Sequence, residues 1–275
     1  MQLIIPAYNE ENRLPGTLRA LRSYALAPTQ MPSPPLEVIV VDNGSTDGTS
    51  RVARALSTPM MPVRVVQCDA RGKGAAVRAG VAATTADVIG FMDADGATGL
   101  EAFEDAAISL ASGADVVIGS RGVDGSHTEE RQNLLRTIGA AAYRRSAALL
   151  VPGVLDTQCG FKIIRGDLAR DVFASCATDG FSFDVELLAR CQELGARIEE
   201  IAVDWVDVPG STFSPLRHGL RSFTELVAIG RRLRTHPTLR RTPVTQLRAE
   251  QWVSAHPVET GTAETGTGLR LAANA

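Results

Sequence analysis

Apolar and polar positions follow two alternating periods along the first 120 residues. Short apolar runs rich in Val and Ile recur at residues 3–6, 37–41, 63–67, 88–92 and 115–119. Each reads as a buried strand. Between them lie helical patterns at 12–27 (Leu14, Leu18, Leu21, with Pro15 in the first turn), 49–56, 75–83 and 100–112. Repeated strand–helix alternation requires crossover connections, and so predicts a mainly parallel, doubly wound α/β sheet with helices on both faces.

The loops after these strands carry the chemistry, because an α/β sheet binds ligands beyond the carboxyl ends of its strands. Asp42 opens the turn DNGSTDG, whose Gly, Ser and Thr mark a turn and helix cap and whose amides are equally suited to an anion. Residues 69–74, DARGKG, lack the full phosphate-loop pattern and leave two cations, Arg71 and Lys73, at a helix start. The stretch 88–98, VIGFMDADGAT, is the focus. If the extended form persists, Asp93 and Asp95 point to one side of the strand tip. Converging carboxylates repel unless a cation lies between them, and oxygen-only ligation suits Mg²⁺ or Mn²⁺.

From residue 122 the pattern changes. A polar loop, 122–128, precedes a long helical run, 129–150, whose Arg131, Arg136, Arg144 and Arg145 form either a solvated face or an anion site. DTQCGFK at 156–162 leads into a short strand through Ile164 and a helix at 167–173. GFSFDVELL at 180–188 opens another helix, with Ser182 as cap and Asp184 and Glu186 in the first turn, where the helix dipole also accounts for acids.

Composition narrows the partners. Twenty-eight basic against 31 acidic residues give a formal charge of −3, which argues against a general nucleic-acid binder. Four scattered cysteines without a C-x-x-C pair, and an opening strand in place of a charged-then-apolar leader, predict a reducing, cytoplasmic setting. No apolar run approaches a membrane span, so membrane contact is expected to be peripheral. Only Lys73 and Lys162 are lysines.

The series PAYNEE, VVDNGSTDGT, RGKGAA, MDADGAT, IGSR, DTQCGFK, FSFDVELL and IAVDWVDVPGS resembles the family 2 inverting glycosyltransferases of GT-A fold, over about residues 3–215. The similarity is greatest to the dolichyl-phosphate β-glucosyltransferase branch, related to the polyprenyl-phosphate mannose synthases. The resemblance implies a UDP-glucose donor, a polyprenyl-phosphate acceptor, a divalent metal and inversion of configuration. It further implies that Pro6, Tyr8, Glu10 and Asp42 border the nucleoside and that Arg71, Lys73, Asp93 and Ala94 line the nucleotide-sugar site. Asp93 and Asp95 would hold the metal, Asp184 would lie nearest the sugar, and Arg121 and Arg131 would steer the incoming phosphate. Two positions depart from relatives. Ala97 replaces a glutamine of the mannose synthases, as in the glucosyl branch, and Thr212 stands where relatives usually place a lysine.

The implied organisation is a transferase domain at 1–215, with a nucleotide-sugar half (1–120) and an acceptor half (121–215). A basic amphipathic helix at 216–241 and a disordered tail at 242–275 follow. Residues 214–248 hold eight arginines against Glu225 alone. That helix either lies on an anionic membrane at the inner face of the cell or packs its apolar stripe on the domain. Alternatives are a GDP-mannose donor, a soluble acceptor, or a nucleotide-sugar-binding protein without catalysis.

Overall fold

The computed structural model describes residues 1–27, 36–129, 134–206 and 215–236. The proline-rich connection at 28–35, Arg131, residues 210–212 including Thr212, and the tail from 242 lie outside the described residues.

The first half folds as the periodicity predicts. Strands β1 (Gln2–Ala7), β2 (Glu37–Asp42), β3 (Val63–Gln67) and β4 (Val88–Phe91) pair in parallel, β1 lying between β2 and β4 and β3 outside β2. Helices α1 (Leu14–Leu26), α2 (Thr49–Ala55) and α3 (Lys73–Ala82) connect them. Alternate strand residues serve opposite faces. Leu3, Ile5, Val38 and Val40 share one core with Leu14, Leu18 and Leu21 of α1, whereas Ile4, Ile39 and Val41 share the other with Ala76, Val77 and Val81 of α3. Each fully buried leucine stabilises this layering by about 1.5–3 kcal/mol.

After α4 (Ala102–Ala111) and β5 (Val116–Ser120) the chain departs from simple alternation. It passes through β6 (His127–Glu129) and α5 (Leu134–Ala148), then places β7 (Lys162–Arg165) antiparallel between β4 and β5. Helices α6 (Gly166–Ser175) and α7 (Phe183–Glu193) precede β8 (Ile198–Ala202), which runs parallel to β5. The main sheet thus has the order β3-β2-β1-β4-β7-β5-β8, and strands from both sides of residue 120 share it. A short β9 (Asp204–Val206) pairs with β6 in a second, two-stranded sheet.

The last element, α8 (Pro215–Thr235), packs its apolar stripe on the domain. Leu226 and Ile229 are buried in the core that α7 lines, and Phe223 and Leu233 lie against it. Arg221, Arg231 and Arg234 face solvent. Among the described residues no helix is long and apolar enough to cross a membrane.

Candidate active site

The two carboxylates after β4 are delivered by a turn, not by an extended strand tip. β4 ends at Phe91, and the Gly96 amide closes on the Asp93 carbonyl at 3.4 Å. Gly96 has φ of 67°, a left-handed conformation that favours glycine, and it completes the turn that carries Asp95. The Thr17 hydroxyl donates to the Ala94 carbonyl at 2.7 Å and pins the turn to α1. The Ala97 amide donates to Asp95 Oδ1 at 3.2 Å.

Each carboxylate meets a cation from another element. Lys73, first residue of α3, places Nζ 2.5 Å from Asp93 Oδ1. Arg13, paired with the buried Glu10, brings Nη1 to 3.6 Å from Asp95 Oδ2. Burial raises the Asp93 carboxyl, but Lys73, then Lys162 and Arg121, hold it below the usual carboxylate range. Asp95 is pushed above that range by burial and by Asp93 itself. Burial also opposes the charge on Lys73, yet Asp93 and Asp184 hold its ammonium above its ordinary pKa. A Cβ on Gly160 would come 2.1 Å from Asp93 Oδ2, so the DTQCGFK motif supplies a glycine where its backbone meets this carboxylate.

A second lysine–carboxylate pair lies deeper. Lys162 opens β7, fully buried, and its Nζ lies 2.6 Å from Oδ1 of Asp184 in the first turn of α7. The same ammonium donates to the Cys159 carbonyl at 2.7 Å and sits 5.3 Å from the Phe91 ring centroid. Burial drives the Asp184 carboxyl up, opposed by Lys162 and Lys73. A buried charge without a partner costs several kcal/mol, so each member of this pair requires the other. Sequence reasoning missed Lys162. Its rarity was the available signal: both lysines of the chain stand at this site.

The nucleoside edge is assembled from β1, β2 and their loops. Pro6 is the penultimate residue of β1 and Asp42 the last of its neighbour β2, and Tyr8, 49% exposed, follows β1 directly. Asp42 is buried; it accepts the Ser45 amide at 2.8 Å and the Ser50 hydroxyl. Although burial works the other way, those donors hold its carboxyl below the ordinary value. The amides at the start of α2 are taken by the protein's own acids: Gly48 donates to Glu11 at 2.9 Å and Thr49 to Asp47 at 3.0 Å. The glycine loop before α3 is organised by Asn43, which donates to the Cys68 and Ala70 carbonyls and accepts the Gly72 amide. Arg71 is exposed on that loop.

Arg121 lies at the site's other flank, already engaged. Asp156 accepts its Nε at 2.7 Å and Nη2 at 3.1 Å, and its guanidinium stacks 5.4 Å from the Trp205 ring centroid. Ser182 precedes α7 but its hydroxyl does not cap that helix; it donates to the Ser222 carbonyl at 3.2 Å. Glu186, fully buried, accepts the Ala177 and Thr178 amides and pairs with Arg190 and Arg232, a structural role distinct from that of Asp184 two residues earlier.

Among the described residues no group of three or more His, Cys, Asp or Glu is placed to hold a metal. The donor set is Asp95 with Asp93, whose mutual repulsion leaves Asp95 under-neutralised. That pair suits a hard cation that takes its remaining ligands from water and phosphate oxygens, not one caged by protein alone.

The family model described as "Glycosyl transferase family 2" matches residues 2–173. The dolichyl-phosphate beta-glucosyltransferase of Homo sapiens is 34% identical over 243 residues, covering 83% of this chain and 74% of that protein. That of Dictyostelium discoideum is 30% identical over 239 residues, covering 83% and 73%. Among solved structures, glucosyl-3-phosphoglycerate synthase from Mycobacterium tuberculosis, in complex with Mn²⁺, UDP-glucose and phosphoglyceric acid, superposes with a TM-score of 0.60 at 20% identity. The match covers 83% of this chain and 78% of that one, a likeness of fold. With acids and lysines gathered at the edge where this fold class binds its ligands, the chain is a glycosyltransferase and belongs to glycosyl transferase family 2.

Proposed function

We propose that the protein transfers glucose from UDP-glucose to a polyprenyl phosphate with inversion at the anomeric carbon. The observation that carries this reading is the convergence of two lysine–carboxylate pairs, Lys73–Asp93 and Lys162–Asp184, at one edge of the sheet. The relatives named for dolichyl-phosphate glucosylation supply the donor and acceptor class.

In this reading residues 1–120 hold the donor and 121–215 the acceptor. Pro6, Tyr8, Glu10 and Asp42 border the uridine, with Tyr8 offering a flat face and Asp42 a polar edge. Arg71, Lys73, Asp93 and Ala94 line the diphosphate and sugar. A divalent cation, Mg²⁺ or Mn²⁺, held by Asp95 with Asp93, would supply Lewis-acid stabilisation of the charge gathering on UDP as it leaves. Lys73 adds a fixed positive charge beside Asp93.

A phosphate monoester has its second pKa near ~6 and is mostly dianionic at neutral pH, so the acceptor oxygen attacks without losing a proton to the protein. Asp184, sealed behind the opening, therefore acts by stabilising positive charge at the anomeric carbon, with Lys162 fixing its place. Arg121, oriented by Asp156 and Trp205, contributes to the field that draws the phosphate to the face opposite UDP. Arg131 is proposed to share that task. A lipid acceptor places the reaction at a membrane surface, on the cytoplasmic face, with contact peripheral.

The test is label transfer from UDP-glucose and GDP-mannose to a short-chain prenyl phosphate and to a soluble phosphate acceptor, with and without chelator. Glucose transfer to the prenyl phosphate, abolished by chelation and lowered about a hundredfold by Asp95→Ala, is expected. Preference for GDP-mannose or for the soluble acceptor overturns the assignment.

A further inference from the structure

The connection from α6 to α7 is gripped from two sides. Towards α3, the Asp179 carbonyl accepts the Gly74 and Ala75 amides at 2.8 and 3.3 Å, capping the helix that carries Lys73. A Cβ on Gly72 would lie 2.1 Å from that carbonyl, so the glycine loop closes directly onto this connection. Towards α8, Glu225 Oε2 accepts the Ser182 amide at 3.2 Å. The Gly180 backbone passes so near that a Cβ there would come 2.1 Å from Glu225 Oε1. Two turns further along α8, Arg232 reaches Glu186 Oε1 at 3.2 Å and the Thr178 hydroxyl, while Arg190 donates to the His236 carbonyl at 3.2 Å.

The first amides of a helix lack partners within it, and a carboxylate there is favoured by the helix dipole. Ser182 is placed to cap α7, but its hydroxyl turns away to donate to the Ser222 carbonyl. A carboxylate from another helix accepts the amide of Ser182 itself, one of the orphan donors at the start of α7. Glu225 is the one acidic residue among eight arginines in residues 214–248, an exception to the charge pattern that the reaction itself does not explain. Arg221 holds its Oε1 at 3.2 Å, leaving Oε2 to the amide.

We propose that Glu225 is a positioning residue: by accepting the Ser182 amide it fixes the first turn of α7 and so sets the Asp184 carboxylate against Lys162. The inference rests on the reading of Asp184 as the residue beside the sugar. It makes α8 part of the working enzyme, because the helix holds the frame on which Asp184 is mounted.

The chain's two lysines allow a readout independent of turnover. With nitrogen-15 at lysine Nζ, the full-length protein gives ammonium signals only from Lys73 and Lys162. Glu225→Ala removes the acceptor; Glu225→Gln removes the charge but keeps a carbonyl oxygen for the Ser182 amide. The expected result is a Lys162 signal displaced or broadened in Glu225→Ala and close to wild type in Glu225→Gln. In parallel, kcat for transfer from UDP-glucose to a short-chain prenyl phosphate falls about tenfold or more in Glu225→Ala, with KM for UDP-glucose within about twofold, since a small misplacement of a reacting geometry costs rate more than binding. Glu225→Gln restores the rate. An unmoved Lys162 signal in Glu225→Ala, or equal changes in both variants, overturns the proposal. Wild-type protein that binds UDP-glucose yet transfers nothing to the prenyl phosphate overturns the acceptor reading instead, and the Lys162 signal then decides the role of Glu225.

Discussion

The two lysine–carboxylate pairs are chemically alike and physically opposite. Lys73 and Asp93 stand at the opening, their side chains 17% and 40% exposed, whereas Lys162 and Asp184 are sealed at 0% and 3%. Water reaches the first pair, so its members can exchange one another for a ligand at a lower cost than the sealed pair could. The second pair has no solvent to fall back on. The outer pair is thus suited to binding and release, and the inner pair to holding a charge arrangement constant through the cycle.

Breaking the inner pair has the largest expected effect. Lys162→Met leaves Asp184 buried without its counter-ion, at a cost of about 3–5 kcal/mol in urea or thermal unfolding. Transfer should drop by at least about a hundredfold. The same substitution pushes the Asp184 carboxyl further up, since Lys162 is the strongest charge holding it down, and the acid limb of residual kcat moves to higher pH. Asp95→Ala comes next: kcat falls about a hundredfold. Stability stays level or rises, because the carboxylate removed is one that Asp93 repels.

Lys73→Ala tests the outer pair. KM for UDP-glucose should rise about tenfold, the worth of one phosphate contact near 1.4 kcal/mol, with at most about 1 kcal/mol lost in stability. The pH dependence of that loss has a definite sign. Asp93 is depressed in the folded state, so its contribution is present above the ordinary 3.8 and is lost as pH falls through the lower folded value. Lys73 is raised, so its contribution is complete below 10.5 and is lost as pH climbs through the higher folded value. Unfolding curves of Lys73→Ala and wild type should therefore differ near neutrality and converge at both extremes. The smallest effect is expected from Thr17→Val, which removes the hydroxyl on the Ala94 carbonyl. About 1 kcal/mol of stability is lost, with a severalfold fall in kcat as the Asp93–Gly96 turn loosens.

The parallel half of the sheet was legible because its strands are short buried runs separated by helical spacing, a local property. The acids at 93 and 95 were legible for the same reason, as a strand end. Their geometry was not, because the turn is set by the conformation of Gly96 and by Thr17, which lies 77 residues away from Ala94. Lys162 was visible as a rarity but not as a partner of Asp184, since no periodic pattern encodes a contact between β7 and α7. α8 was readable as amphipathic, and only packing reveals that Leu226 and Ile229 face the protein. The roles expected of Arg131 and the departure at Thr212 fall outside the described residues.

The antiparallel strand β7 has one further consequence. Lys162 stands opposite Phe91 on one neighbour and Ile118 on the other, at the very start of a strand only four residues long. Side chains in a strand point to alternate faces, so a slip of a single position towards the end of the strand would present Phe161 where the ammonium belongs. A one-residue insertion within the approach at 159–161 would thus be expected to silence the enzyme while leaving every acidic group in place.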